Sequence, residues 1–232
     1  MPIAIEYFLY ALPGLLLTMW AQSRIWQAYS EGSRIPVSSG LSGAEAAVAV
    51  MRAGGVGEIP IEPVQGELSD HYDPARKILR LSPKVFAGRS LSAVGIAAHE
   101  AGHAIQDATH YPGLVLRNWI VPLASIGSTV CWLPVMAGLL IGMTRLVFLG
   151  IILFSLTIVF QIVNLPVEFN ASRRGREMLR STGVISAQED KVVGKVLNAA
   201  AWTYVAGALT GVLTLLFYLG QYGMLRGRRR SD

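Results

Sequence analysis

"AAHEAGHAIQ", residues 97–106, decides how the rest of the chain is read. It sets His99 and His103 four apart with Glu100 beside the first. On an α-helix, positions four apart differ by about 40° in projection and one turn in height, so two imidazoles there can converge on one ion. Glu100 falls about 100° round from His99. That is too far round to share the ion closely, but it suits a carboxylate that bonds a water on the ion and serves as general base. Gly102, in the intervening turn, leaves room for a substrate backbone to approach. A lone buried histidine would read as core, whereas two in H-E-x-x-H read as a metal site.

The surroundings of this decapeptide are polar enough for a water-exposed domain, residues 24–117. "SLSAVGIAAHEAGHAIQDATH" predicts a helix over 91–110, capped at Ser90 or Ser92 and ended by Pro112. It is too short and too polar to span a bilayer, so it reads as the buried central helix of the domain. Upstream, "SGAEAAVAVMRAGG" predicts a short helix, with Ser42 and Glu45 at capping-box spacing and Gly54–Gly55 as the stop. "EIPIEPV" alternates like a strand. "ELSDHYDPARKILRLS" predicts two short strands around an Asp73–Pro74 turn. The second of these, "KILRLS", would accept an extended substrate by strand addition if it lies at an edge.

Outside this domain the chain is apolar. Of 232 residues, 52% are hydrophobic and 15% charged, against about 25% charged in a typical soluble domain. Mean hydropathy is +0.45. Uncharged runs of spanning length lie at 118–144, 146–167 and 196–225, and a shorter one at 7–23 reaches that length from residue 3 if Glu6 snorkels. Four transmembrane helices are therefore expected, at 3–23, 118–144, 146–167 and 196–225. The first lacks basic residues before it and a good cleavage site after it, so it reads as an anchor that stays uncleaved. The single cysteine, Cys131, excludes a disulfide framework or a thiolate metal site. The net charge of +5 gathers beside the spans, which points to anionic lipid as a partner and away from nucleic acid. The spans hold no acid or histidine away from their ends, which argues against a channel or transporter.

Catalytic zinc usually has three protein ligands and an open position. Candidates for the third are His71 and His110 and the acids Asp107, Glu168, Glu177, Glu189 and Asp190. No third histidine falls where an H-E-x-x-H-x-x-G-x-x-H pattern would need it, and no L-D-G of a site-2-type protease occurs. Glu168, in "NLPVEFNAS" at the exit of the third span, is best placed. The hairpin of spans two and three returns the chain to the face of His99, and an acid at the end of an apolar helix is costly unless paired or coordinated.

Taken together, "LSDHYDP", "LRLS", "AAHEAGHAIQ" and "LPVEFNAS", in this order and with a membrane hairpin between the last two, resemble the YugP-type membrane zinc metallopeptidases over nearly the whole chain. The resemblance implies a small α+β zincin-like metalloprotease domain in an α-helical membrane protein. It implies a gluzincin site like that of HtpX-like proteases: one Zn2+ on His99, His103 and Glu168, with Glu100 as base. The family pattern more often reads E-F-D-A-S where this chain has Asn170. If that carboxylate orients a ligand histidine, Asn170 hydrogen-bonds without charge, and Ser172, one turn on from Glu168, shares the role.

The implied activity is endopeptidase cleavage of a peptide or membrane-protein substrate by a zinc-activated water. The alternative is a catalytically weak or inactive relative acting as a membrane scaffold or chaperone-like partner. For the oxyanion, donors to consider are His71, Tyr72, His110, Tyr111 and Arg173. The stretch 168–195 completes the site and carries a basic run facing lipid headgroups. Nine lysines and arginines flank the spans on the active-site face, against five on the face bearing Arg145 and the basic tail 226–232. A multi-pass protein of the cell membrane with its active site in the cytoplasm is expected. Gly207 and Gly211 in the last span have G-x-x-x-G spacing, which would suit a homo-oligomer or packing within one chain.

Overall fold

The structure, a computed structural model, describes residues 3–221. The expected basic tail 226–232 and the last residues of the fourth span, 222–225, lie outside the described residues. The chain is mostly helical, with a single small sheet among the described residues. It divides into two units. Among the described residues, one comprises 3–20, 116–165 and 203–221, the other 21–115 and 166–202.

In the first unit the helices are α1 (Ile3–Ser33, to Trp20), α5 (Pro112–Val130, from Leu116), α6 (Trp132–Ile141), α7 (Thr144–Ser181, to Leu165) and α8 (Ala187–Gln221, from Thr203). Three stretches among the described residues are long and apolar enough to cross a membrane: Pro112–Ile141, Thr144–Ser181 and Ala187–Gln221. The expected first span, within α1, is not one of them. Their outer faces carry large apolar side chains with no protein cover, such as Trp119, Leu140, Leu133 and Ile152. A water-soluble unit would bury such a surface, whereas lipid tails solvate it. Gly142, with φ 71°, ends α6 in the left-handed conformation that glycine adopts without a Cβ penalty, so the hairpin turns at Gly142–Met143. Gly127 and Gly150 let α7 come close to α5 and α6, since a Cβ on Gly150 would lie 2.7 Å from the Cys131 carbonyl oxygen. Gly211 likewise faces Ile158 and Gln161 of α7. The small-residue spacing thus serves packing within the chain.

In the second unit, α2 (Gly43–Ala53) begins at Ser42 with both halves of the expected capping box in place. Its buried face, Ala46, Ala47, Val50 and Met51, joins the core formed with α4 (Leu91–Ala108). The sheet is built from β1 (Ile61–Pro63), β2 (His71–Asp73) and β3 (Ile78–Leu81), ordered β1-β3-β2. β3 pairs parallel to β1 and antiparallel to β2. It is the inner strand, so it has no free edge to offer a substrate. Alternation sends Leu79 and Leu81 into the core. On the other face it sends Arg80 to Asp73 of β2 (2.9 Å) and Glu62 of β1 (3.6 Å), tying both outer strands to the middle one. A short α3 (Pro83–Phe86) follows. α4 is capped by Ser90, whose hydroxyl accepts from Ala93 N–H. Ser92, the other expected cap, is buried and instead donates to the Tyr29 carbonyl of α1 at 2.9 Å.

The stretch 168–195 is helical but for a short turn. α7 runs unbroken from Thr144 through Glu168 to Ser181, and α8 begins already at Ala187. Only 182–186 separates them, with Gly183 at φ 71°. At about 1.5 Å per residue, α7 is far longer than the roughly 30 Å thickness of a bilayer's hydrocarbon core.

Candidate metal centre

Two helices build the site, and glycine sets how near they come. A Cβ on Gly102 of α4 would lie 2.9 Å from the carbonyl carbon and 3.1 Å from the Cα of Ala171 in α7. A Cβ on Gly175 of α7 would lie 2.7 Å from the carbonyl carbon of Ala98 and 3.2 Å from the amide nitrogen of His99. The two glycines are reciprocal notches, each receiving the other helix's backbone. The space expected beside Gly102 for a substrate is therefore filled by α7. This close crossing brings Glu168, one turn before Ser172, against the histidines of α4.

His99, His103 and Glu168 present ligand atoms that all lie within 4.8 Å of one another. The Nε2 atoms of His99 and His103 stand 3.3 Å and 3.7 Å from the two carboxylate oxygens of Glu168. The rings are set edge to face, with centroids 4.8 Å apart and planes at 81°. His103 and Glu168 are buried and His99 nearly so. Burial by itself would raise the Glu168 carboxyl pKa and lower that of the His99 imidazolium. The hydrogen bonds and charges of the two histidines outweigh this for Glu168 and hold it far below the usual carboxylate range. Glu168 and Glu100 outweigh it for His99 and lift it. Both shifts express the attraction between the carboxylate and the imidazoles facing it. Two imidazoles and a carboxylate, closely spaced and largely buried, make a donor set that fits zinc.

Glu100 stands beside this group without joining it. Its Oε1 is 4.0 Å from His99 Nε2, while Oε2 accepts the Tyr72 backbone N–H at 3.1 Å. Burial pushes its carboxyl pKa up. Ser172 Oγ lies 2.9 Å from Nδ1 of His99. Asn170 touches neither histidine; its Oδ1 accepts from Gln106 Nε2 at 3.0 Å and Arg174 Nε at 2.8 Å. Gln106, wholly buried, has its Oε1 3.0 Å from Nδ1 of His103. Sequence reasoning missed this residue, although its position three after His103 on the same helix was the available signal.

The remaining candidates are placed elsewhere. Tyr72 donates its hydroxyl to Asp107 at 2.6 Å, which also pairs with Lys77. His71 donates from Nδ1 to the Ser69 carbonyl at 2.8 Å and turns its other nitrogen toward Arg80. His110 is exposed at the end of α4 with φ 48°. The Tyr111 ring carries the Arg174 guanidinium 5.7 Å above its centre. Asp190 forms a two-pronged pair with Arg176, both contacts at 2.9 Å. Glu189 caps α8 through Ser186 and bonds Ser38. Arg173 and Glu177 line a cavity of about 230 Å³ between α7 and α8 that Ser172 also borders.

A family model described as "Putative neutral zinc metallopeptidase" matches residues 7–222. The Bacillus subtilis (strain 168) protein named "Putative membrane protease YugP" is 45% identical over 208 residues, 90% of this chain and 92% of that one. No solved structure matches the chain.

Proposed function

This chain belongs to the neutral zinc metallopeptidase family, and from that premise we propose a membrane-embedded endopeptidase whose single zinc is held by His99, His103 and Glu168. The observation that carries the reading is the convergence of both Nε2 atoms on the Glu168 carboxylate. A zinc ion there supplies Lewis acidity toward a peptide carbonyl and acidifies a water. Glu100 supplies the base. Because Oε2 is engaged by the Tyr72 N–H, Oε1 is the oxygen that takes the water's proton and hands it to the departing amine. Ser172 orients His99 through Nδ1. Substrates are peptides or segments of membrane proteins reaching a site beside the bilayer.

The scaffold alternative, motivated by Asn170 and by the small domain, is not favoured by the family match. Asn170 works as a hydrogen-bond acceptor, a role its amide oxygen fills. α1 supplies the fourth span. Within the first unit it packs on α8, where Gly14 meets Thr210 and Tyr7 and Tyr10 stack edge-on against Phe217. With four spans and the charge balance of the flanks, the site faces the cytoplasm of a multi-pass cell-membrane protein. A C-terminal reporter read from the cytoplasm would overturn that orientation.

The deciding experiment pairs metal content with turnover in purified protein. Glu168→Ala is expected to lose zinc. Glu100→Gln is expected to keep zinc and lose peptide cleavage. Zinc retained by the first variant removes Glu168 as a ligand, and undiminished cleavage by the second removes Glu100 as the base.

A further inference from the structure

We propose that Gln106 is a positioning residue that fixes the tautomer and ring orientation of His103. The inference rests on the zinc reading above and extends it to a residue which that reading leaves out. The argument is one of hydrogen-bond polarity, read outward from groups whose roles admit no choice.

A guanidinium only donates, so the atom of Asn170 facing Arg174 Nε at 2.8 Å must be its carbonyl oxygen. That same oxygen lies 3.0 Å from the Gln106 amide, which therefore turns its NH2 toward it. The backbone carbonyl of Val167, an acceptor only, lies 2.8 Å from the same Gln106 nitrogen and demands the same orientation independently. With its NH2 committed twice, Gln106 has its carbonyl oxygen directed at Nδ1 of His103, 3.0 Å away. An acceptor there requires the proton on Nδ1. The neutral ring of His103, the form that ligates a metal, is thereby left with its lone pair on Nε2, the nitrogen 3.7 Å from Glu168. A neutral ring cannot keep both this hydrogen bond and a proton on Nε2. His99 has no such constraint, because the Ser172 hydroxyl on its Nδ1 can donate or accept.

Gln106 is completely buried, so bulk water does not reach any of its three bonds. Arg174 itself is held by the Tyr111 ring and by a 3.2 Å bond to the Thr109 hydroxyl, both within the same unit. The chain of donors thus starts from a cation fixed at the C-terminal end of α4 and finishes at the metal-facing nitrogen.

The test is zinc affinity of the full chain in detergent, by competition with a chromogenic chelator, with the visible spectrum of the cobalt-substituted protein as a second readout. Gln106→Met keeps the bulk and removes the polarity. It is expected to weaken zinc binding roughly 10- to 100-fold and to alter the cobalt bands. Asn170→Asp still accepts from both neighbours and is expected to stay within about threefold of wild type, whereas Asn170→Leu weakens binding more. Wild-type affinity and spectrum in Gln106→Met would overturn the proposal, as would an Asn170→Asp loss equal to that of Asn170→Leu. The Asn170 pair decides the matter if Gln106→Met does not fold. Failure of the underlying zinc reading looks different: wild type then binds no stoichiometric zinc, or Glu168→Ala binds it undiminished.

Discussion

The reciprocal glycine notches lead to a quantitative expectation at Gly102. An alanine there places its Cβ 2.9 Å from the Ala171 carbonyl carbon and 3.1 Å from its Cα. Unstrained carbon contacts lie at roughly 3.5–4.0 Å, so the shortfall is about 0.6–1 Å. The obstructing atoms are backbone, which cannot rotate aside, so α4 and α7 must move apart by about that amount. Overpacking of this kind costs about 1–3 kcal/mol. The larger effect is on the metal, since Zn–O and Zn–N bonds are confined to about 2.0–2.2 Å and Glu168 rides on the displaced helix. A 1 Å misplacement near a reacting centre can cost on the order of 100-fold. Gly102→Ala should therefore lower the thermal midpoint and weaken zinc binding by one to two orders of magnitude, read by chelator competition. Gly57→Ala is the control, because a Cβ there meets nothing within 4 Å and the backbone needs no left-handed conformation. If Gly102→Ala binds zinc as tightly as wild type and melts with it, the close crossing does not position the ligand.

Two further outcomes follow from bonds outside the metal centre. Burial pushes the Glu189 carboxyl pKa up, but the amides and hydroxyls of Ser186 and Ser38 outweigh it and hold the value below 4.5. A depressed folded pKa stabilises above the unfolded value and loses that contribution as pH falls through the folded one. Glu189→Gln should thus cost about 1 kcal/mol near neutral pH, and that cost should shrink as pH falls through the depressed folded pKa of Glu189, measured as the gap between melting curves. A gap that persists unchanged in acid refutes this. Tyr72→Phe removes the hydroxyl bond to Asp107 and should lower stability by about 1–2 kcal/mol while leaving cleavage nearly intact. A hundredfold drop in turnover with unchanged melting would instead make that hydroxyl part of the reaction.

What could be read from sequence was whatever local chemistry dictates. The Ser42–Glu45 capping box, the Ser90 start of α4 and the strand pair around Asp73–Pro74 each depend on neighbours within a few residues. The convergence of Glu168 on the histidines was legible too, because a hairpin of spans limits where an exit residue can be. Other features depend on distant partners. That β3 lies between β1 and β2 reflects a parallel crossover no local pattern encodes. Hydropathy falls at Glu168, yet α7 continues, because hydropathy registers lipid and not helicity. The residues beyond, "NASRRGREMLRS", are rich in helix formers. Gly102 looked like free space only because its occupant, Ala171, is 69 positions away.

The bond from the Tyr72 amide to Glu100 also closes part of one border of the sheet. A three-stranded sheet exposes two borders, and an open border recruits strands from other chains. Here one border is only three residues long and contains Pro63, which has no amide hydrogen to give. On the other, the outward-pointing amide in the middle of the strand is already taken by the carboxylate. A visiting strand would have to evict Glu100 to dock there, so the carboxylate beside the two histidines also occupies the hydrogen-bonding position at that border of the sheet.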